Sequence, residues 1–381
     1  MGRLCILSCI QINQIYQMKR ILYITYDWWF DTDVDILKSL SENYVIDVFV
    51  VSIQDKQLNK YPDKKAPSAN VCIHDFPIWN KKQKTRMAFK SMWLALRIAA
   101  RAKSYDLVLY IDDANPVSVL LLSLFLPKRN TIVTFHDYRM HLDEPRFKRM
   151  VHDGLVRSFR YFHFFSQSQY EYFVKDHKRK SAFFSLMPLK DFGPANPYAV
   201  HEKKTFLFFG YIRDYKRLDL FIRAAKRLQA DARFLIAGYC ANWERYKQLI
   251  DGDERFECHI GFVSNDEIPS YFGEADFLVL PYNDSTQSGP LLIAVNYGLP
   301  VIASRHKIFE DFVAHGKNGY LFEDSNADDL AKMLQHAVKM NDEQYLYMRQ
   351  AMCETRKKYE QKSNYCKALE SYVSLNVQHK Q

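Results

Sequence analysis

No stretch of the 381-residue chain holds the roughly 18 consecutive apolar residues that a membrane-spanning helix needs. The longest apolar candidate, residues 117–127 (VSVLLLSLFLP), is too short to span a bilayer and reads as a buried helix. The seven cysteines, at 5, 9, 72, 240, 258, 353 and 366, include no C-x-x-C pair. A dispersed, odd set of this kind fits reduced thiols and argues against a disulfide framework or a zinc site. No zinc-finger, RNP-like or helix-turn-helix pattern appears, so nucleic acid is not the expected partner. Low-complexity disorder is excluded by a composition that is 48% hydrophobic and 15% aromatic. The first 17 residues carry one Arg and a short apolar run, Leu4–Ile10, with no clean small-residue cleavage site after it. Met18-Lys19-Arg20 followed by ILYIT is a natural start, so residues 1–17 read as an extension on a cytoplasmic protein.

What the chain does have is an uneven charge. Its 53 Lys plus Arg and 44 Asp plus Glu give +9. Residues 1–198 hold 29 basic and 19 acidic side chains, a net of +10, whereas residues 199–381 hold 24 and 25, a net of −1. Residues 81–103 (KKQKTRMAFKSMWLALRIAARAK) contain eight basic residues and no acidic one. On a helix, Arg86, Lys90, Arg97 and Arg101 fall within about 60° of arc, beside Met87, Phe89, Met92 and Trp93. That stripe suits an anionic membrane surface. The plainer reading is a helix packed on its sheet with one charged edge in water. Arg146, Lys148, Arg149, Arg157, Arg160, Lys175, Lys178, Arg179 and Lys180 add to the charge of the same half.

Short β-branched or aromatic runs alternate with helix-period segments. Ile21–Thr25, Val45–Val51, Leu107–Ile111, Thr131–Phe135 and Phe162–Phe165 read as strands, with helices at Asp33–Leu40 and Arg86–Lys103. Strands spaced by helices imply parallel βαβ units. Residues 188–204 break the rhythm with three prolines and read as a linker. The alternation restarts with strands at Thr205–Phe209, Arg233–Ala237, Glu257–Ile260, Phe277–Leu280 and Pro300–Ala303, and helices at Leu218–Ala230 and Pro290–Tyr297. Asn318-Gly319 is a tight-turn signal. Residues 342–375 read as one long amphipathic helix. Two doubly wound domains facing a cleft are expected, with ligands at the carboxyl ends of the strands.

Two segments carry chemistry. Gly210 ends a strand and permits close backbone approach. Arg213 and Lys216 follow it, suited to a diphosphate beside a helix start or equally to a solvated basic loop. Further on, Gln287-Ser288-Gly289-Pro290 opens a helix, with Ser288 or Gly289 as N-cap and Pro290 in the first turn. The free amides there form a second anion site or simply a capped helix.

These residues resemble glycosyltransferase family 4, the group 1 glycosyltransferases of GT-B fold. The resemblance rests on Gly210-Tyr-Ile-Arg213-x-x-Lys216-Arg-Leu-Asp219, Ile236-Ala-Gly238 and Ala275-Asp276, then Ser288-Gly289, Gly298-x-Pro300-Val-Ile-Ala303, Glu310 and Gly316-x-Asn318-Gly319. It covers most of residues 205–335 and extends more loosely to Thr134-Phe135-His136-Asp137 and Ser166-Gln-Ser168. It implies an α/β GT-B protein with an acceptor domain over 18–190, a linker over 191–204, a nucleotide-sugar domain over 205–341, and a tail over 342–381 packing back across the linker. It implies a retaining hexosyltransferase acting on a nucleoside-diphosphate sugar and a glycan or lipid-linked acceptor, with no metal or other cofactor. Arg213, Lys216 and the amides of Gln287, Ser288 and Gly289 would hold the diphosphate. Phe262 and Val263 would hold the base, Gly210 and Glu310 belong to the donor site, and His136 lies near the transferred sugar. A lone histidine is more often structural, though this one ends a strand.

Two departures qualify the resemblance. Paired glutamates common in the family are replaced by Ser285 and Ile293, which removes the usual ribose grip. The first loop, Asp27-Trp28-Trp29-Phe30-Asp31-Thr32-Asp33, lacks the family's glycines, so its aromatics are expected to face the acceptor. Its D-x-D pattern at Asp31 and Asp33 lies away from the diphosphate cradle and reads as coincidence. An epimerase or phosphorylase of the same architecture, or a paralogue that binds nucleotide sugar without turnover, are the other readings.

Overall fold

The computed structural model describes residues 18–53, 65–79, 84–111, 122–136, 138, 146–194, 201, 203–284, 287–362 and 365–376. The extension over 1–17, Asp137, Ser285 and Thr286 lie outside these residues. The chain divides into two compact units, one running to Pro188 and resuming at Ser363, the other spanning Leu189–Lys362.

The first unit is built on β1 (Lys19–Tyr26), β2 (Tyr44–Ile53), β3 (Val71–Trp79), β4 (Leu107–Ile111), β5 (Thr131–Phe135), β6 (Tyr161–Phe164) and β7 (Ser181–Phe184). They form one parallel sheet in the order β3-β2-β1-β4-β5-β6-β7. β4, β5 and β6 are buried along their whole length, which is why they read as unbroken apolar runs. Helices α1 (Phe30–Leu40), α2 (Lys84–Ala102), α3 (Arg146–Ser158) and α4 (Gln167–Asp176) connect the strands. β3 (VCIHDFPIW) went unread as a strand because it carries His74, Asp75 and Pro77. Its place at the sheet edge is where proline is tolerated, and the register shifts opposite Ser52 and Ile53. Of residues 117–127, Leu122 and Leu126 are buried but Leu124 and Phe125 are exposed, so the buried-helix reading holds only in part there.

Asp33 is buried and accepts hydrogen bonds from Tyr23 Oη at 2.6 Å and from Thr25 Oγ1. That carboxylate ties α1 to β1, which accounts structurally for the second aspartate of the D-x-D pattern. His163 is buried between Thr134 Oγ1 at 3.2 Å and Ser185 Oγ at 2.8 Å. Burial, reinforced by His136, pushes its pKa well below 6.5. Folded His163 therefore stays neutral where the unfolded chain takes up a proton. Stability is full above about pH 6.5 and falls below it, by roughly 1.4 kcal/mol per pH unit for this group. Urea midpoints measured from pH 7 to pH 5 should decline less steeply in His163→Gln than in the parent.

The second unit repeats the plan with β8 (Thr205–Phe209), β9 (Arg233–Gly238), β10 (Phe256–Ile260), β11 (Phe277–Leu280), β12 (Val301–Ser304) and β13 (Gly319–Phe322). All are parallel, in the order β10-β9-β8-β11-β12-β13. Around them lie α5 (Leu218–Arg227), α6 (Trp243–Ile250), α7 (Ile268–Glu274), α8 (Gly289–Asn296), the short α9 (Lys307–Glu310), α10 (Ala327–Lys339) and α11 (Asp342–Lys362). Phe206 stacks between Phe234 and Phe277 at 5.9 and 5.8 Å, joining three adjacent strands into one apolar layer. Asp276 is fully buried and accepts the Thr205 amide at 2.7 Å, which pins the start of β8 to the start of β11.

One expectation holds and one fails. Asn318 closes a turn over residues 316–318, which leads into β13 running parallel to β12. Gly319 is there because a Cβ would sit 2.1 Å from the Val301 carbonyl oxygen, while the buried Asn318 amide bonds Phe312 O and Thr355 Oγ1 at 2.8 and 2.9 Å. The tail is not one helix but two, α11 and α12 (Tyr365–Asn376), and α12 belongs to the first unit. There Tyr372 stacks on Phe183 at 4.5 Å and Glu370 accepts from Asn43 Nδ2 at 2.8 Å.

Candidate donor-binding site

In the second sheet the strand order reverses between β8 and β11, and ligands of such sheets bind beyond the carboxyl ends of the strands at that point. Gly210 follows β8 with φ 100°, a backbone angle that favours glycine. A Cβ built on it would lie 3.3 Å from Lys216 Nζ and 3.5 Å from Pro290 Cγ. The segment after β8 and the first turn of α8 thus converge on one glycine, although 70 to 80 residues separate them in sequence. Gly238, at the end of β9, packs directly behind it. A Cβ there would stand 2.1 Å from Gly210 O, and its own φ is 143°. Gly238→Ala should therefore cost about 1–3 kcal/mol in stability through forced displacement, read as a lowered melting temperature.

Lys216 ends a single 3₁₀ turn, Asp214–Lys216, so it precedes α5 rather than belonging to its first turn. It is 7% exposed, with its ammonium 5.5 Å from the centre of the Tyr282 ring. Arg217 adopts the left-handed region at φ 52° and forks onto Asp219 at 3.0 and 3.2 Å. That hydrogen-bonded pairing raises the guanidinium pKa further and holds the turn that aims Lys216. Arg213 is exposed and lies 4.9 Å over the Tyr211 ring. Tyr211 in turn packs on Tyr239 at 5.3 Å. Tyr211, Tyr239 and Phe262 follow β8, β9 and β10 respectively, and all three are about half exposed. Val263 is partly buried beside Phe262. This row of aromatics at consecutive strand ends was invisible in sequence except at Phe262.

Ser288 caps α8, its hydroxyl accepting the Leu291 amide at 3.3 Å, and Pro290 occupies the first turn. Gln287 is partly buried ahead of the cap and Gly289 opens the helix. A Cβ on Gly289 would meet Lys190 Cε and Nζ at 3.9 Å. Lys190 thus brings a second cation to the helix start, on the Gly289 side, while Lys216 lies on the Gly210 and Pro290 side. It fell within the proline-rich stretch read as linker, and no local pattern marked it. The loop after β11 is held from behind, with Tyr282 O accepting from Ser304 Oγ at 2.5 Å and facing His306 Nε2 at 2.9 Å.

The remaining expected residues are described by their own contacts. Glu310 ends α9, exposed, and pairs with Arg305 at 3.7 Å. Ile293 is buried in α8. His136 follows β5 in the first unit, buried, with its ring stacked 3.5 Å from Trp29 at an interplanar angle of 5°. Trp28 and Trp29 pack against the apolar core of that unit, so these two aromatics of the first loop are partly buried rather than laid out on the surface.

Residues 203–340 match the family model described as "Glycosyl transferases group 1". Over 147 residues the chain is 28% identical to the amylovoran biosynthesis glycosyltransferase AmsK of Erwinia amylovora, covering 36% of each protein. Among the four curated relatives it matches, it spans no more than 45% of any one's length. Sucrose-phosphate synthase from Thermosynechococcus elongatus superposes over 95% of this chain and 99% of its own, with a TM-score of 0.70 at 15% identity. Anabaena Alr3699/HepE, solved in complex with UDP-glucose, superposes over 94% of this chain and 99% of its own, with a TM-score of 0.66 at 14% identity. The fold is α/β and GT-B.

Proposed function

We propose that this protein, whose residues 203–340 match the group 1 glycosyltransferase model, is a group 1 glycosyltransferase that moves a sugar from a nucleoside diphosphate to an acceptor hydroxyl. The observation that carries the reading is the convergence of Lys216, Gly210 and the α8 start at the switch point of the second sheet. Lys216, Arg213 and Lys190 supply positive charge, and the amides around Ser288 and Gly289 supply donors. Together they hold the diphosphate and stabilise the negative charge that grows on it as the anomeric C–O bond breaks. The electron pair leaves with the diphosphate oxygen, which takes up the acceptor hydroxyl's proton as the acceptor oxygen bonds to the anomeric carbon on the same face, with retention. In this reading the cations and amides stabilise the leaving group, and a metal or other cofactor is not called for. Tyr211, Tyr239, Phe262 and Val263 form the surface for the base. HepE's complex with UDP-glucose supports a uridine donor. Glu310 is assigned to the donor side and His136 to the transferred sugar on the family resemblance alone.

The acceptor is a glycan or a lipid-linked glycan, in polysaccharide synthesis of the kind AmsK's name describes. Among the described residues no helix is long and apolar enough to cross a membrane. The protein instead sits on the inner, anionic face of the membrane through α2. On that helix Leu94, Ala95, Ile98 and Ala102 are buried, while Phe89 is 69% and Trp93 56% exposed beside Arg86, Lys90, Arg97 and Arg101. Large apolar side chains in water next to a basic stripe support this reading over a helix that is only packed on its sheet. Binding of nucleotide sugar without turnover is the competing reading, favoured by the buried Ile293. Incubation with UDP-, GDP- and ADP-sugars and mixed glycan and lipid acceptors, scored by nucleoside diphosphate release, separates the two. Acceptor-dependent release is expected, and donor binding with no release on any acceptor would overturn the enzyme reading.

A further inference from the structure

We propose that Asp47, Cys72 and His74 form a zinc-type divalent metal site on the outer edge of the first sheet, separate from the transfer chemistry. Cys72 and His74 alternate along β3 and so share one face, and Asp47 pairs with Cys72 across the β2–β3 ladder. Their ligand atoms all lie within 4.8 Å of one another. The two separations made by the His74 nitrogen match those of a tetrahedral centre. Metal–nitrogen and metal–oxygen bonds of about 2.0 Å and a metal–sulfur bond of about 2.3 Å place N and O about 3.3 Å apart, and N and S about 3.5 Å apart. The structure has His74 Nε2 3.2 Å from Asp47 Oδ1 and 3.6 Å from Cys72 Sγ.

Both short contacts go to the same imidazole nitrogen. A nucleophile relay would use the two different ring nitrogens, one toward the thiol and one toward the carboxylate. A single N–H serves only one acceptor at a time, whereas a cation between the three atoms serves all of them. The surroundings are those of a supported ligand set. Asp47 Oδ2 accepts from Tyr105 Oη at 2.7 Å and Arg20 Nη2 at 3.1 Å, leaving Oδ1 to the site. The His74 ring packs on Phe49 at 4.8 Å, which fixes its direction. Cys72 is exposed, which gives the ion and a fourth, solvent ligand a way in. Thiolate, imidazole and carboxylate together select zinc or a similar borderline metal over magnesium or calcium. On binding, the Cys72 thiol loses its proton to solvent as the metal–sulfur bond forms. Asp47 is the fourth residue of β2 and Cys72 the second of β3, far from the carboxyl strand ends. The ion's role is to fasten the edge strand.

The test is titration of the purified, chelator-treated protein with cobalt(II), followed by zinc competition and thermal melting. One equivalent should produce a thiolate-to-cobalt charge-transfer band that zinc removes. Cys72→Ser and His74→Ala should abolish the band, Tyr105→Phe should weaken binding about tenfold, and Cys353→Ser should leave it intact. Added zinc should raise the melting temperature of the parent but not of Cys72→Ser. Cys72 is exposed, so its serine variant is expected to fold, and an unshifted metal-free melting temperature verifies that. Absence of a thiolate band, or a band that survives Cys72→Ser, would overturn the proposal.

Discussion

Lys216→Ala lowers turnover by about 10²–10³-fold with a smaller change in the donor KM. The size follows from position. Lys216 is buried, its ammonium is set against Gly210 and the first turn of α8, and low dielectric strengthens its interaction with charge that develops on the leaving diphosphate. Arg213 is exposed, so Arg213→Ala should cost less. The alanine also leaves space beside Tyr282, so Lys216→Met is the companion variant that restores bulk without charge. Both variants should fold and both should lose turnover. Steady-state kinetics on the preferred donor measures this, and a drop of only a few-fold in both would remove Lys216 from the leaving-group role.

Replacing Arg86, Lys90, Arg97 and Arg101 together by Gln weakens binding to anionic vesicles by roughly 10³-fold at low salt. Each basic side chain near such a surface contributes about 1 kcal/mol, and 1.4 kcal/mol is a factor of ten. The parent protein should also lose binding as salt rises, because the attraction is screened over about 10 Å at 0.1 M. Trp93→Ala should weaken binding at every salt concentration, since its contribution is apolar. Sedimentation with phosphatidylserine-containing vesicles measures all three. Parent protein that pellets as well with neutral vesicles, or a quadruple variant that pellets like the parent, would return α2 to a solvated helix.

Much of this arrangement was legible from residues. The order and type of most strands followed from apolar run length, and the cap at Ser288 followed from a small polar residue before Gly-Pro. The reading failed where tertiary context decides. β3 hid behind Pro77 and two polar residues that an edge strand tolerates. The tail looked continuous by period, and its break between α11 and α12 reflects which unit each half packs on, which periodicity does not encode. Lys190 looked like linker until its amine was seen against Gly289. Tyr211 and Tyr239 became a pair only when β8 and β9 were laid side by side. The cysteine spacing likewise gave no metal signal, because the third ligand, Asp47, comes from a neighbouring strand.

Part of the first half's excess charge lies on α2, and the nearly neutral second half contributes Arg213 and Lys216 to the proposed diphosphate site, where Lys190 of the first half joins them. Calorimetric titration with UDP, GDP and ADP, each compared with its nucleoside, tests that claim most directly. The account predicts one nucleoside diphosphate bound per chain, its nucleoside bound far more weakly, and the difference largely lost in Lys216→Met. No binding of any diphosphate, or equal binding by nucleoside and diphosphate, would contradict it.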